Sequence, residues 1–321
     1  MLRPYQTADK AAVCALWQRA APQQGYAPCD AARLDELLFC HPYFSARHTF
    51  VLEQDGGVHG FICGCTGEDI PHGAERGYFT CILLDDGDQK PAACAALFAA
   101  LEDSFRLCGK KYSAVTFFNP MRMPWIIPGS PGFEHNNRPG IPVDTPLHAQ
   151  MLKAGYTEPA REVALYRPLA DYAVPGEIER LSRQCAAQGY TVDLYDETRH
   201  IGLAEMLLPL ENPDWIKSIM DAARDKQMLP VALCGNVVAG FAGPVYPEPT
   251  GRGFFAGIGV APKYQRHGLG KLLFYRLCAY EKQQGAKYMS LFTGENNPAQ
   301  YIYKGAGFTA ASTFGVLLKP L

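Results

Sequence analysis

Apolar residues recur every three or four positions in ADKAAVCALWQRA, placing Ala12, Leu16 and Ala20 on one face of a predicted helix. Asp9 stands at its start as a predicted N-cap, and LRPY before it reads as a strand. Strand patterns take over in FVLEQDGGVHGFICG, on either side of the turn signal Asp55-Gly56-Gly57. GYFTCILLD is a further strand. Ala93, Ala96, Leu97 and Leu101 mark a helix, and KKYSAVTFF after Gly109 is another strand. A helix ending at Lys153-Ala154-Gly155-Tyr156 then leads into the strand EVALYRPL.

The same order of patterns runs a second time. YTVDLY is followed by the helical RHIGLAEMLLPL, then by a hairpin around Gly235-Asn236 in VALCGNVVAGFAG. GFFAGIGVA aligns with GYFTCILLD at a displacement of 176 positions. Leu269, Leu272, Leu273 and Leu277 form one apolar stripe on the next helix. AKYMSLFT, a helix with Gly307-Phe308, and TFGVLLKP complete the series. An ordered series of this length predicts two copies of one domain rather than a solenoid. Pro175-Gly176 punctuates the join, so the expected domains are residues 1–172 and 173–321. A short helix with Ile178, Leu181 and Cys185 apolar opens the second copy.

One block breaks the symmetry. The interval from Gly270 to Tyr303 is 33 residues, and the matching one from Cys94 to Met151 is 57. The surplus is a Pro- and Gly-rich insert at about 119–146, a length of loop usually functional or poorly ordered. Its Trp125, Phe133, His135 and Arg138 are open to two readings. They line an acceptor pocket, or they pack the loop onto its own domain.

The chemistry gathers around VAPKYQRHGLGKLLF, a strand followed by a helix. The first amides of a helix lack internal partners, and its dipole adds partial positive charge, so this is an anion site. Gly268 and Gly270 let a phosphate approach the backbone, and Arg266, His267 and Lys271 add positive charge or donors. Gly257 and Gly259 in the preceding strand signal close approach of another backbone or a ligand.

Val260-Ala261-Pro262 followed by Gln265, Gly268 and Gly270, and then Asn296, Ala299, Ile302, Tyr303, Gly307 and Phe308, resembles the two motifs of the GNAT superfamily of acetyl-CoA-dependent N-acetyltransferases. The resemblance is strong over residues 176–321 and architectural over 1–170. It implies an α/β (α+β) fold of two tandem GNAT-like domains, each a mixed, mostly antiparallel sheet flanked by helices, in a layout like that of known tandem members. It also implies that Gln265, Arg266, His267, Gly268, Leu269, Gly270 and Lys271 hold the CoA pyrophosphate. The pantetheine arm would lie along Ile258, Gly259 and Val260, with Asn296 touching the arm and Ala299 one turn before Tyr303. Tyr303 would be the general acid. A phenol of ordinary pKa near 10 is protonated at neutral pH and can donate to a departing thiolate. Tyr301, two positions away, points elsewhere. No carboxylate lies between Arg252 and Val260, a departure from many members. Glu248 and Glu295 are the candidate bases, and backbone carbonyls with a water chain are the alternative.

The first copy lacks these features. Ala92 and Cys94 stand where the glycines stand, Pro91 removes an amide donor, and Met151 replaces Tyr303. Asp85, Asp86 and Asp88 put negative charge where a phosphate would lie. The N-terminal copy is therefore expected to be degenerate and the C-terminal copy catalytic, transferring acetyl to the primary amine of a small molecule or peptide. A non-catalytic acyl-CoA-binding module is the alternative. A tRNA-dependent aminoacyl transferase ranks last, because its relatives lack the intact loop and no basic stripe is present.

Composition refines this picture only at its edges. A formal net charge of −2 gives no reason to expect nucleic acid or an anionic membrane as partner. The N-terminus lacks the apolar core of a signal peptide, and no apolar run reaches the roughly 18 residues of a membrane span. The 11 scattered cysteines suit a reducing cytoplasm. Cys63 and Cys65 share a strand face and read as small core side chains, Cys278 likewise reads as core, and no metal constellation is expected.

Overall fold

The computed structural model describes residues 1–85 and 91–321. Contact clustering separates two compact units, which interleave along the chain. The first holds Met1–Ala164, Phe292–Glu295 and Ala311–Leu321; the second holds Leu165–Leu291 and Asn296–Ala310.

The first unit begins with strand β1 (Leu2–Pro4) and helix α1 (Lys10–Ala20), followed by the short helix α2 (Ala31–Leu34). β2 (Thr49–Gln54) and β3 (Gly57–Cys65) form the expected hairpin. Asp55 and Gly56 both take positive φ at its turn, as a two-residue hairpin loop requires. β4 (Arg76–Leu84) precedes helix α3 (Pro91–Arg106), and β5 (Tyr112–Val115) follows. The insert contributes short strands β6 (Trp125–Ile126), β7 (Glu134–His135) and β8 (Ile141–Pro142) before helix α4 (Pro146–Lys153) and strand β9 (Thr157–Pro168).

Two apolar clusters face the sheet. One centres on Val13, Leu16 and Trp17 of α1 with Phe61, Cys63 and Cys65 of β3. The other centres on Leu97, Phe98, Leu101 and Phe105 of α3. Asp9 departs from its expected role. Its side chain accepts from the Gln6 amide (2.8 Å) and pairs with Arg3 (2.7 Å), so it closes the turn before α1 and makes no cap bond to α1 itself.

The second unit continues with α5 (Gly176–Ala187), β10 (Tyr190–Leu194), α6 (Leu203–Leu207) and α7 (Pro213–Arg224). The hairpin β11 (Pro230–Cys234) and β12 (Val237–Gly243) comes next. The stretch predicted as one strand is two, β13 (Arg252–Gly253) and β14 (Gly257–Val260). They are followed by α8 (Leu269–Gln283), β15 (Tyr288–Gly294), α9 (Gln300–Gly305) and β16 (Thr309–Pro320). β10, β11, β12 and β14 form one sheet in that order. β13 instead pairs in parallel with β15. The stripe Leu269, Leu272, Leu273 and Leu277 is buried, as its spacing predicts, and so is Cys278.

The far end of β16 belongs to the first unit. Leu317 pairs with Val115 and Leu318 with Ala114 of β5, while Phe314 and Gly315 pair with β8. Phe314 and Leu317 are fully buried there.

Candidate functional site

The glycine loop is built around the start of α8. Gly268 caps the helix in the left-handed region (φ 79°), and Arg266 also takes positive φ (67°). A Cβ on Gly268 would be strained and would meet Leu181 of α5 at 3.0 Å. At Gly270 the nearest atoms to an added Cβ are 3.8 and 3.9 Å away. These are ordinary van der Waals distances to Ile302 and Val260, so the chain's own packing does not demand glycine there, beside the first amides of α8.

Helix α5 braces the loop. The Cys185 thiol donates to the His267 carbonyl (3.0 Å), and the His267 ring lies 4.6 Å from that of Tyr190. Lys271 pairs with Glu177 (2.9 Å). The Gln265 side chain donates to the Val260 carbonyl (3.0 Å), tying loop to strand. Leu269 is buried, anchoring the loop to the core, whereas Arg266 is exposed.

The preceding strand opens a gap. β13 pairs with β15 through Arg252–Tyr288 and Gly253–Met289, and β14 then pairs with β12. Ile258 and Val260 are half-buried on this strand and Gly259 is buried between them. At Gly257 and Gly259 the close approach is made by side chains, neither of the two expected sources, another backbone or a ligand. A Cβ on Gly257 would collide with Trp215, whose indole donates to the Ala256 carbonyl (3.0 Å). One on Gly259 would meet Leu210 at 2.7 Å and Phe241 at 3.0 Å. Both glycines admit the unit's own core.

Tyr303 sits on α9 with its ring 4.7 Å from Phe274 and 6.5 Å from Phe255. It is 5% exposed, whereas Tyr301 is 84% exposed. Burial pushes the Tyr303 hydroxyl up to about 12, so it keeps its proton through the neutral range. Ala299 caps α9, and its carbonyl accepts from the Tyr303 amide (3.3 Å). Asn296 is exposed; the neighbouring Asn297 accepts from the Ala299 amide (2.9 Å).

The two candidate carboxylates lie in different settings. Glu248 engages Arg252 through both oxygens (2.7 and 2.9 Å), and Arg252 is buried with a further bond to the Ser290 carbonyl (3.1 Å). Glu295 is exposed, belongs to the first unit, and its amide donates to the Arg161 carbonyl (2.9 Å).

A further carboxyl escaped the sequence reading. Glu281 of α8 is fully buried, one oxygen accepting from the Tyr246 amide (3.2 Å) and the other lacking a hydrogen-bond partner. That second oxygen lies under Gly253, where a Cβ would come within 2.8 Å of it. Burial pushes the carboxyl up to about 9, so it is protonated at neutral pH. The signal was present, since Glu281 follows Leu273 and Leu277 at four-residue spacing on the apolar stripe.

In the first unit the matching loop lies partly outside the described residues, which exclude Asp86 and Asp88. Asp85 does not act as a bare charge, because Arg19 holds it at 2.8 Å and His59 at 3.1 Å. Cys94 is buried in the core. Of the insert's residues, Trp125 donates to the Asn137 carbonyl (3.0 Å) and packs 5.0 Å from Phe314. His135 is buried 5.5 Å from Phe292, and Arg138 lies 4.2 Å over the Tyr26 ring. These residues pack the insert into the first unit. Among the described residues there is no cluster of three metal-ligating side chains, and no helix is long and apolar enough to cross a membrane.

Residues 179–308 match the model of the Acetyltransferase (GNAT) family. Solved structures agree on the fold. A GCN5-related glucosamine N-acetyltransferase region of a fungal multi-domain GH3 beta-N-acetylglucosaminidase aligns with a TM-score of 0.72 at 15% identity, over 99% of this chain and 38% of that one. This chain thus spans well under half of that protein. A GCN5-related N-acetyltransferase from Sphaerobacter thermophilus aligns with a TM-score of 0.67 at 12% identity, covering 100% and 95% of the two chains. A tandem GNAT protein from the clavulanic acid biosynthesis pathway aligns with a TM-score of 0.59 at 14% identity, covering 100% and 98%. The fold of the chain is therefore like that of tandem GNAT proteins. No curated protein matches the chain by sequence.

Proposed function

We propose that the second half is an acetyl-CoA-dependent N-acetyltransferase that passes acetyl directly to a primary amine of a small molecule or peptide. The observation that carries this reading is the loop at the start of α8. Gly268 turns the chain in the left-handed region, and Gly270 leaves the space of one side chain clear beside the first amides of α8, although the protein's own packing does not demand glycine there. A pyrophosphate suits that space, because it accepts from the unpartnered helix amides and gains from the dipole. Gln265 to Lys271 form the cradle, and Ile258, Gly259 and Val260 offer the strand edge to the pantetheine arm, with Asn296 and Ala299 beyond it.

The thioester supplies an activated acyl group. The chain's part is to hold it and manage protons. Tyr303 keeps its proton at neutral pH and donates toward sulfur as charge develops there. Glu248 is committed to Arg252, and β13 and β14 carry no carboxylate. Besides Glu295, the route left for the amine proton is a water chain on backbone carbonyls. The same observation favours one alternative, a non-catalytic acyl-CoA-binding module.

Calorimetric titration with acetyl-CoA tests the binding half of this reading. One site per chain is expected, lost when Gly268→Ala and Gly270→Cys are combined, the residues of the first copy. No binding in the unaltered chain sinks the reading. Release of free CoA on adding a panel of primary amines then separates the enzyme from the binding module, which releases none.

A further inference from the structure

The two copies share a strand opening, and only one of them is left open. In the first copy β4 and β5 pair in parallel through Arg76–Tyr112, Gly77–Ser113 and Tyr78–Ala114. In the second, the pairs are Arg252–Tyr288 and Gly253–Met289. The first two pairs of each copy correspond residue for residue at the 176-residue displacement. If the second opening takes a pantetheine arm, the first is the equivalent cleft, and the inference rests on that reading.

Beyond Tyr78 the first cleft is filled from within. Asn119, at the start of the insert, is buried, and its side-chain amide donates to the Phe79 carbonyl (2.9 Å) and the Thr80 hydroxyl (3.0 Å). Its oxygen accepts from the Met121 amide (2.9 Å) and the Cys65 thiol (3.3 Å). The Met121 sulfur lies 3.9 Å from the Thr80 hydroxyl. An amide on a strand carbonyl followed by a sulfur are the group types that a pantetheine thioester carries. Here the chain supplies both.

What remains is a cavity of about 20 Å³ lined by Tyr26, Thr80, Thr116, Asn119, Met121 and Arg138, among others. Tyr26 and Arg138 meet beside it, the guanidinium 4.2 Å over the ring.

We propose that the insert closes the first copy's cofactor cleft. Asn119 and Met121 stand in for the cofactor arm, and acetyl-CoA binds to the second copy alone. The closure makes the first copy silent independently of its lost glycines.

Hydrogen exchange on the full chain, with and without saturating acetyl-CoA, tests this. Peptides covering 78–84 are expected to exchange slowly without ligand and to stay unchanged with it. Peptides covering 256–262 are expected to slow by roughly tenfold or more on binding. Slowing of 78–84 by acetyl-CoA would overturn the inference, and so would rapid exchange there in its absence. If 78–84 stays slow while 256–262 fails to respond, the cofactor reading of the second copy fails and the closure of the first stands. Asn119→Ala should speed exchange of 78–84 without altering the acetyl-CoA affinity of the chain. If that variant does not fold, the unaltered chain already decides.

Discussion

Tyr303 shows how burial sets a residue's chemistry. Packed against Phe274 and Phe255, it is a weaker acid than free tyrosine. Tyr303→Phe preserves that packing and removes only the hydroxyl that carries the proton. We expect kcat to fall by roughly 10²-fold or more, with acetyl-CoA affinity in calorimetry unchanged. Equal kcat in the variant would take the acid role away from Tyr303. Gly268→Ala is expected to cost about 1–2 kcal/mol of local strain at positive φ and to weaken acetyl-CoA binding by at least tenfold; unchanged binding would mean that the loop does not hold the cofactor. Glu281 makes a pH prediction. Its folded pKa, about 9, lies above the unfolded value of 4.5, so the folded state holds a proton that the unfolded state has released. Stability from this group is full below pH 4.5 and is lost as pH rises through 9, by up to about 1.4 kcal/mol per unit. Glu281→Gln should therefore match the parent's Tm near pH 4.5 and exceed it increasingly toward pH 9. Parallel Tm curves would refute the buried proton.

At the level of elements, the helices after each glycine or pseudo-glycine loop were legible because their apolar stripes repeat at helical spacing. The strand before the loop was legible only in part. Its two glycines looked like a ligand's signature, yet Trp215, Leu210 and Phe241 occupy the missing side-chain space. A one-dimensional pattern shows that something approaches closely and does not say what. The insert shows the same limit. Its length and its Pro and Gly content marked it as unusual, but not that Gly140 lies so close to the Gly315 carbonyl that a Cβ has no room. Gly140→Ala should overpack that contact and lower stability by roughly 1–3 kcal/mol, read as a lower Tm. Acetyl-CoA affinity should be unchanged, because the contact lies within the first unit.

For the molecule as a whole, the last strand matters most. Phe314 and Leu317 are fully buried in the first unit, and each such side chain contributes about 1.5–3 kcal/mol. With the β5 ladder added, this is a large share of a domain's typical stability of about 5–15 kcal/mol. A chain ending at residue 310 is expected to lose the cooperative unfolding of the first unit, seen by calorimetry as a missing or broadened transition. A transition identical to that of the full chain would show that the strand is dispensable.

By itself, the sequence determined the repeat, the order of elements, the class of fold and the position of the one intact glycine loop. Those properties are written in local periodicity and in residue types that local backbone geometry demands, such as glycine at positive φ in Gly268. The tertiary structure alone decided which unit receives β16, which side chains crowd Gly257 and Gly259, and that Asn119 closes the first cleft. Each of these depends on a partner far away along the chain. Strand pairing and close packing select such partners by shape and hydrogen bonding in three dimensions, and no spacing along the chain encodes that choice.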